Sequence, residues 1–66
     1  MKLKEKRLAA GLSQSQLAYV SGVNIRLIRA YEQGTRLLNK AEALNVYKLA
    51  QALGLKVEDL LDIDQG

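Results

Sequence analysis

Cysteine and histidine are both absent from this 66-residue chain. That removes disulfide staples, thiolate nucleophiles, imidazole bases and the usual zinc ligands together. Proline, phenylalanine and tryptophan are missing as well. No phosphate-cradling glycine loop is present, and the acidic run Glu58, Asp59, Asp62 and Asp64 lacks the spacing and the glycine of an EF-hand. The sequence therefore reads as a non-enzyme that needs no cofactor and no metal. No apolar window of about 18 residues exists to span a bilayer. The opening stretch MKLKEKRLAAGL carries charge but no apolar run of signal-peptide length. The expected location is the cytoplasm, whose reducing conditions suit a chain without cysteine.

Length sets a second limit. A chain of this size is expected to make one domain, residues 1–66, and to bury only about 60% of the surface its unfolded form exposes. Stability must then come from apolar packing, helped by self-association.

What is present is an uneven charge distribution. Residues 1–40 hold Lys2, Lys4, Lys6, Arg7, Arg26, Arg29, Arg36 and Lys40 against Glu5 and Glu32, a net of +6, whereas residues 41–66 are net −3. A basic half joined to an acidic half points one face at a polyanion, although basic runs are more often plain solvated surface. Apolar residues recur at helical rather than alternating spacing, and four of the five glycines fall where a helix should stop. The pattern predicts an all-α bundle of five helices over about 2–10, 14–21, 25–33, 41–53 and 57–62. Ser13 and Asn24 are the N-caps of the second and third. The expected core comprises Leu3, Arg7 and Ala10 with Leu8 and Leu12 beside them, then Leu17, Ala18, Val23, Ile28 and Tyr31. It continues with a stripe of Ala43, Val46, Tyr47, Ala50 and Leu53 flanked by Leu49, and ends in Leu55, Val57, Leu60 and Leu61.

The informative stretch is SQSQLAYVSGVNIRLIRAYEQG, Ser13 to Gly34. Two short helices here are separated only by Gly22, Val23 and the cap Asn24. So short a connection leaves them crossing steeply instead of lying antiparallel, which is helix-turn-helix geometry. The second helix, about 25–32, then projects from the body, free to enter a groove about 12 Å wide.

Residue by residue, the segment resembles the Cro/cI-type helix-turn-helix family, also called XRE or lambda-repressor-like. The resemblance rests on Arg7, Gly11-Leu12-Ser13-Gln14, Leu17-Ala18, Gly22-Val23, Ile28, Glu32 and Gly34. It continues through Lys48-Leu49-Ala50, Ala52-Leu53-Gly54 and Asp59-Leu60-Leu61, so that residues 3–61 are covered. A subgroup of small bacterial regulators with the pattern SGVNIR, YEQG and NKA-AL-YKLA looks nearest. Two departures stand out. TRLLNKAEA is longer than the usual connection to the fourth helix and lacks its proline, and Lys56 occupies a common Ser/Thr cap position.

The resemblance implies a compact lambda-repressor-like fold and sequence-specific binding of double-stranded DNA by a transcriptional regulator, most simply a repressor. It implies that Gln14 grips a backbone phosphate at the N-terminus of the second helix, where free N–H groups favour an anion. It further implies that Arg7 and Glu32 form an internal ion pair tying the first helix to the third, so neither is counted as a DNA ligand. Lys4 and Lys6 add only non-specific attraction. On the outward face of the third helix, Arg26 and Arg29 stand one turn apart, and either can reach guanine O6 and N7 with a bidentate contact. Ile25 either packs on a thymine methyl group or covers Tyr31 or Val20. Ala30 permits close approach to DNA, and Asn24 adds a phosphate contact to its capping role. Arg36 and Lys40 are placed for phosphates in the long connection. Gln16 and Tyr19 reach phosphate, a partner or neither, and Leu37, Leu38 and Leu44 extend the core or meet a second copy.

A single such helix covers only a few base pairs. The expected assembly is a homodimer on a pseudo-palindromic site, reading helices about 34 Å apart, with the interface on helices four and five. The rival reading uses the same fold to bind a protein, as an antitoxin holds a toxin, through the acidic leucine-bearing end.

Overall fold

The computed structural model describes residues 1–34 and 42–61. Five helices follow one another, α1 (Leu3–Ala9), α2 (Gln14–Ser21), α3 (Ile25–Gln33), α4 (Ala43–Leu53) and α5 (Val57–Leu60), and no strand occurs among the described residues. The architecture is all-α, as the glycine punctuation and the helical period required. Three boundaries are tighter than the sequence suggested: α1 loses a residue at each end, and Leu61 lies beyond α5. Arg36, Leu37, Leu38, Lys40, Asp62 and Asp64, with the expected start of the fourth helix at 41, lie outside the described residues.

Both α1 and α4 end in a Schellman arrangement. Gly11 and Leu12 donate their N–H groups to the carbonyls of Leu8 and Arg7 (3.0 and 3.2 Å), and Gly54 and Leu55 donate to Gln51 and Ala50 (3.1 and 2.8 Å). These bonds satisfy the last carbonyls and turn each apolar residue after the glycine back onto the core, where Leu12 and Leu55 pack. The start of α5 is closed by Asp59, whose carboxylate accepts the Lys56 backbone N–H at 3.0 Å. This is the reciprocal half of a capping box, satisfying the cap residue's own N–H, and the Asp59 N–H goes to the Lys56 carbonyl at 3.0 Å.

Leu3, Leu17, Ile28, Leu49 and Leu60 are completely buried, one from each helix, and with Val23, Tyr31, Val46 and Ala50 they form the centre. Packing runs α1 on α3, α3 on α2, α2 on α4 and α4 on α5. The Lys2 N–H donates to the Leu60 carbonyl at 2.7 Å, which brings the start of α1 against the end of α5.

Several expected core positions are corrected. Ala10 and Leu8 are exposed, Leu8 by 57%, because α1 turns only its Leu3–Arg7 line inward. On α4, Ala43 and Tyr47 face solvent, whereas Leu49, expected at the flank, is fully buried. The true stripe is Val46, Leu49, Ala50 and Leu53, rotated from the expected one toward the side covered by α2 and α5. Tyr47 at 52% exposure leaves its hydroxyl to water, which spares it the partner a buried phenol needs.

Candidate nucleic-acid interface

The site is built on the turn between α2 and α3. Ser13 caps α2 in a reciprocal box: its Oγ accepts the Gln16 N–H at 3.0 Å, and the Gln16 side-chain oxygen accepts the Ser13 N–H at 2.8 Å. Gln16 thus uses its side-chain oxygen in the cap. α2 ends at Gly22, whose φ of 74° lies in the left-handed region. Nothing crowds a Cβ there, so the backbone conformation, not space, is what favours glycine. Val23 follows as a buried plug, its N–H donating to Ser21 Oγ at 3.1 Å. Asn24 caps α3 by accepting the Arg26 N–H on Oδ1 at 2.7 Å.

α3 is sharply two-sided. Ile28 and Tyr31 are buried on its inner face, with Leu27 packed at the margin. Arg26, Arg29 and Gln33 are exposed, and Ile25 and Ala30 are half-buried at the two rims of that outer strip. At 3.6 residues per turn, positions 26, 29 and 33 fall on one line. Gln33 had no role in the sequence reading, although its i+4 spacing from Arg29 was the available signal.

The inner side of α3 holds its one charged residue by an ion pair. Arg7 donates from Nε to Glu32 Oε2 at 2.7 Å and from Nη2 to Oε1 at 3.0 Å, and its Nη1 reaches the Leu12 carbonyl at 2.9 Å. This is a bidentate fork between side chains exposed by only 9% and 4%, so α1 is fastened to α3 by a largely dehydrated pair. Desolvation pushes the Glu32 carboxyl up, but hydrogen bonds from Arg7 and Gln14, with the charges of Arg7 and Lys4, outweigh it and hold Glu32 below its ordinary value. The hydrogen bond to Glu32 outweighs desolvation on Arg7 and raises it further.

Gln14 occupies the first position of α2 but does not simply face solvent. Its Nε2 donates to Glu32 Oε1 at 3.1 Å, and its Oε1 accepts from Arg29 Nε at 3.4 Å. A line of polar contacts thus runs from buried Arg7 through Glu32 and Gln14 to exposed Arg29. One amide N–H of Gln14 stays uncommitted and is available to an anion at the α2 N-terminus.

A second polar cluster fastens the far end of α3. Tyr31 donates its hydroxyl to the buried Glu42 carboxylate, and Asn45 Nδ2 donates to the same carboxylate at 3.2 Å. Sequence reasoning placed Tyr31 in the core but assigned Glu42 no role, since only tertiary contact brings the two together. Arg36 lies outside the described residues, and among those described no group of acidic side chains could hold a metal ion. No helix among them is long and apolar enough to cross a membrane.

A helix-turn-helix family model matches residues 3–60, all five helices included. Neither a curated protein nor a solved structure matches the chain.

Proposed function

The chain belongs to the Cro/cI-type, XRE-like helix-turn-helix family of DNA-binding regulators, and we propose that it binds double-stranded DNA sequence-specifically by laying the outer face of α3, about residues 25–32, in the major groove. One observation carries the reading: Arg26 and Arg29 stand uncovered one turn apart on a helix whose opposite face is locked into the core. A guanidinium presents paired N–H donors that match guanine O6 and N7, and each such contact discriminates by about 1–3 kcal/mol. Ile25 and Ala30, at the rims of the strip, suit thymine methyl contact and close approach. Asn24 and the spare amide N–H of Gln14 serve phosphates from two helix N-termini.

The regulator acts in the cytoplasm as a repressor, occupying a pseudo-palindromic site as a homodimer with its two α3 helices about one turn, roughly 34 Å, apart. Sedimentation should then show a dimer on DNA; a monomer at high concentration, both free and bound, counts against that assembly. Selection from a pool of random duplexes, repeated at 50 and 200 mM salt, tests binding and specificity together. The reading expects an enriched sequence and an affinity that falls steeply, on the order of 10- to 1,000-fold for a few phosphate contacts. A flat salt response, or no binding to any duplex, transfers the function to a protein partner of the antitoxin kind.

A further inference from the structure

We infer that Gln14 is a positioning residue for Arg29, transmitting the fixed geometry of the Arg7–Glu32 pair to the reading face of α3. The inference rests on the DNA-binding reading above and separates two arginines that the sequence left equivalent.

The polarity of the Gln14 amide follows from its neighbours. Glu32 in its charged state only accepts, so the group facing it at 3.1 Å must be the amide nitrogen. The amide oxygen is thereby turned the other way, toward Arg29 Nε at 3.4 Å, and a guanidinium only donates. Both contacts demand the same orientation, so neither can flip without breaking the other. Glu32 in turn is held on both oxygens by the Arg7 fork at 2.7 and 3.0 Å, deep enough that neither side chain wanders.

A definite approach geometry follows for Arg29. Its Nε is occupied by Gln14, which leaves Nη1 and Nη2 as the outward pair. Arg29 therefore meets a guanine end-on through its two terminal nitrogens, not side-on through Nε. Arg26 has no such tether: its backbone N–H goes to Asn24, and its side chain makes no hydrogen bond to a described residue. Ordering a long side chain on binding costs entropy, so the tethered arginine loses less on complex formation. The contact at 3.4 Å is exposed and longer than the usual N–H···O distance, so it is a weak tether in the free protein.

The test uses the full chain. Wild type, Gln14→Met, Arg29→Lys and the double variant are each put through selection from a random duplex pool, and affinities are measured for the enriched duplex and for a random-sequence duplex. Gln14→Met is expected to relax preference at one base position per half-site by about two- to tenfold, the worth of a single hydrogen bond. It should relax base preference no further in the Arg29→Lys background, because lysine has no Nε–H fork to orient, although the lost phosphate contact can still lower affinity for both duplexes equally. Equal weakening on both duplexes with base preference intact would mean that Gln14 only grips phosphate or supports the fold, and overturns the inference. Gln14→Asn, one methylene shorter, replaces the methionine variant if that does not fold. A second measurement needs no substitution and no DNA: proton exchange at arginine Nε by NMR should be slower for Arg29 than for Arg26. Equal exchange overturns the tether. Failure of the wild type to enrich any sequence removes the DNA reading and this inference with it, whereas enrichment with no Gln14 effect removes the inference alone.

Discussion

α3 and α4 are both half-covered helices, yet they are covered and exposed in opposite ways. The covered side of α3 contains a charge, Glu32, held by Arg7 and Gln14, while its open side is polar with Arg26, Arg29 and Gln33. The covered side of α4 is apolar through Val46, Leu49 and Ala50 once past the polar contacts of Glu42 and Asn45 with Tyr31 at its start, and its open side carries Leu44 and Tyr47 at 59% and 52% exposure. The difference shows two ways of orienting a helix. A bidentate ion pair and capped ends fix the rotation and height of α3, because hydrogen bonds have direction. α4 has directional contacts at its start, through Glu42 and Asn45, and is held along the rest of its length by apolar area, which is less directional. The helix proposed to read DNA is the one with directional anchors near both of its ends, at Asn24 and at Tyr31 and Glu32.

The largest effects should come from the covered sides. Leu49→Ala removes a fully buried side chain, and a loss of about 2–5 kcal/mol is expected, enough to unfold much of so small a protein. Glu32→Ala should cost about 3 kcal/mol by stranding Arg7 in a dehydrated site. Urea unfolding of both variants checks the ranking. If Glu32→Ala were silent, the directional anchor on α3 would be structurally idle and the contrast would fail.

Acid should sharpen the contrast through Glu32 on α3. Glu32 is depressed in the folded state, so its contribution is complete above the unfolded carboxyl value of about 4.3 and disappears as pH falls through the lower folded value. Wild type should therefore lose stability over that window, and Glu32→Gln should flatten that part of the curve. Leu49→Ala should shift the whole curve without changing its shape. An identical acid response in wild type and Glu32→Gln would show that other carboxylates dominate.

The smallest changes are expected on the open sides. Tyr47→Ser and Arg26→Ala should each alter folding stability by no more than about 0.5 kcal/mol, since neither side chain is anchored. They should differ in binding, where Arg26→Ala weakens DNA affinity. Thermal melts and a titration against the enriched duplex measure both properties. A marked loss of stability from Tyr47→Ser would reveal that this ring is covered in solution, as the expected dimer on α4 and α5 requires.

How far these features could be read beforehand differs between the two helices. On α3 five of nine residues are apolar and three are charged, and the pattern Ile28, Tyr31 against Arg26, Arg29 allows one inner face. On α4 eight of eleven residues are apolar, and several rotations bury a continuous stripe. Placing Tyr47 inside and Leu49 at the margin was one of them. The tie was broken by the positions of α2 and α5, which no local period encodes. The Gln14 contacts were hidden for a related reason: residues 14, 29 and 32 have no fixed spacing until α2 and α3 are crossed.

Sequence by itself determined the helical class, the glycine stops, the caps at Ser13 and Asn24 and the family, because each depends on backbone preference or local order along the chain. Tertiary structure alone decided which way α4 turns, that Tyr31 meets Glu42, and that Gln14 joins a buried ion pair to one arginine of the outer face. Those outcomes depend on directions between helices, and direction is fixed only when the elements pack.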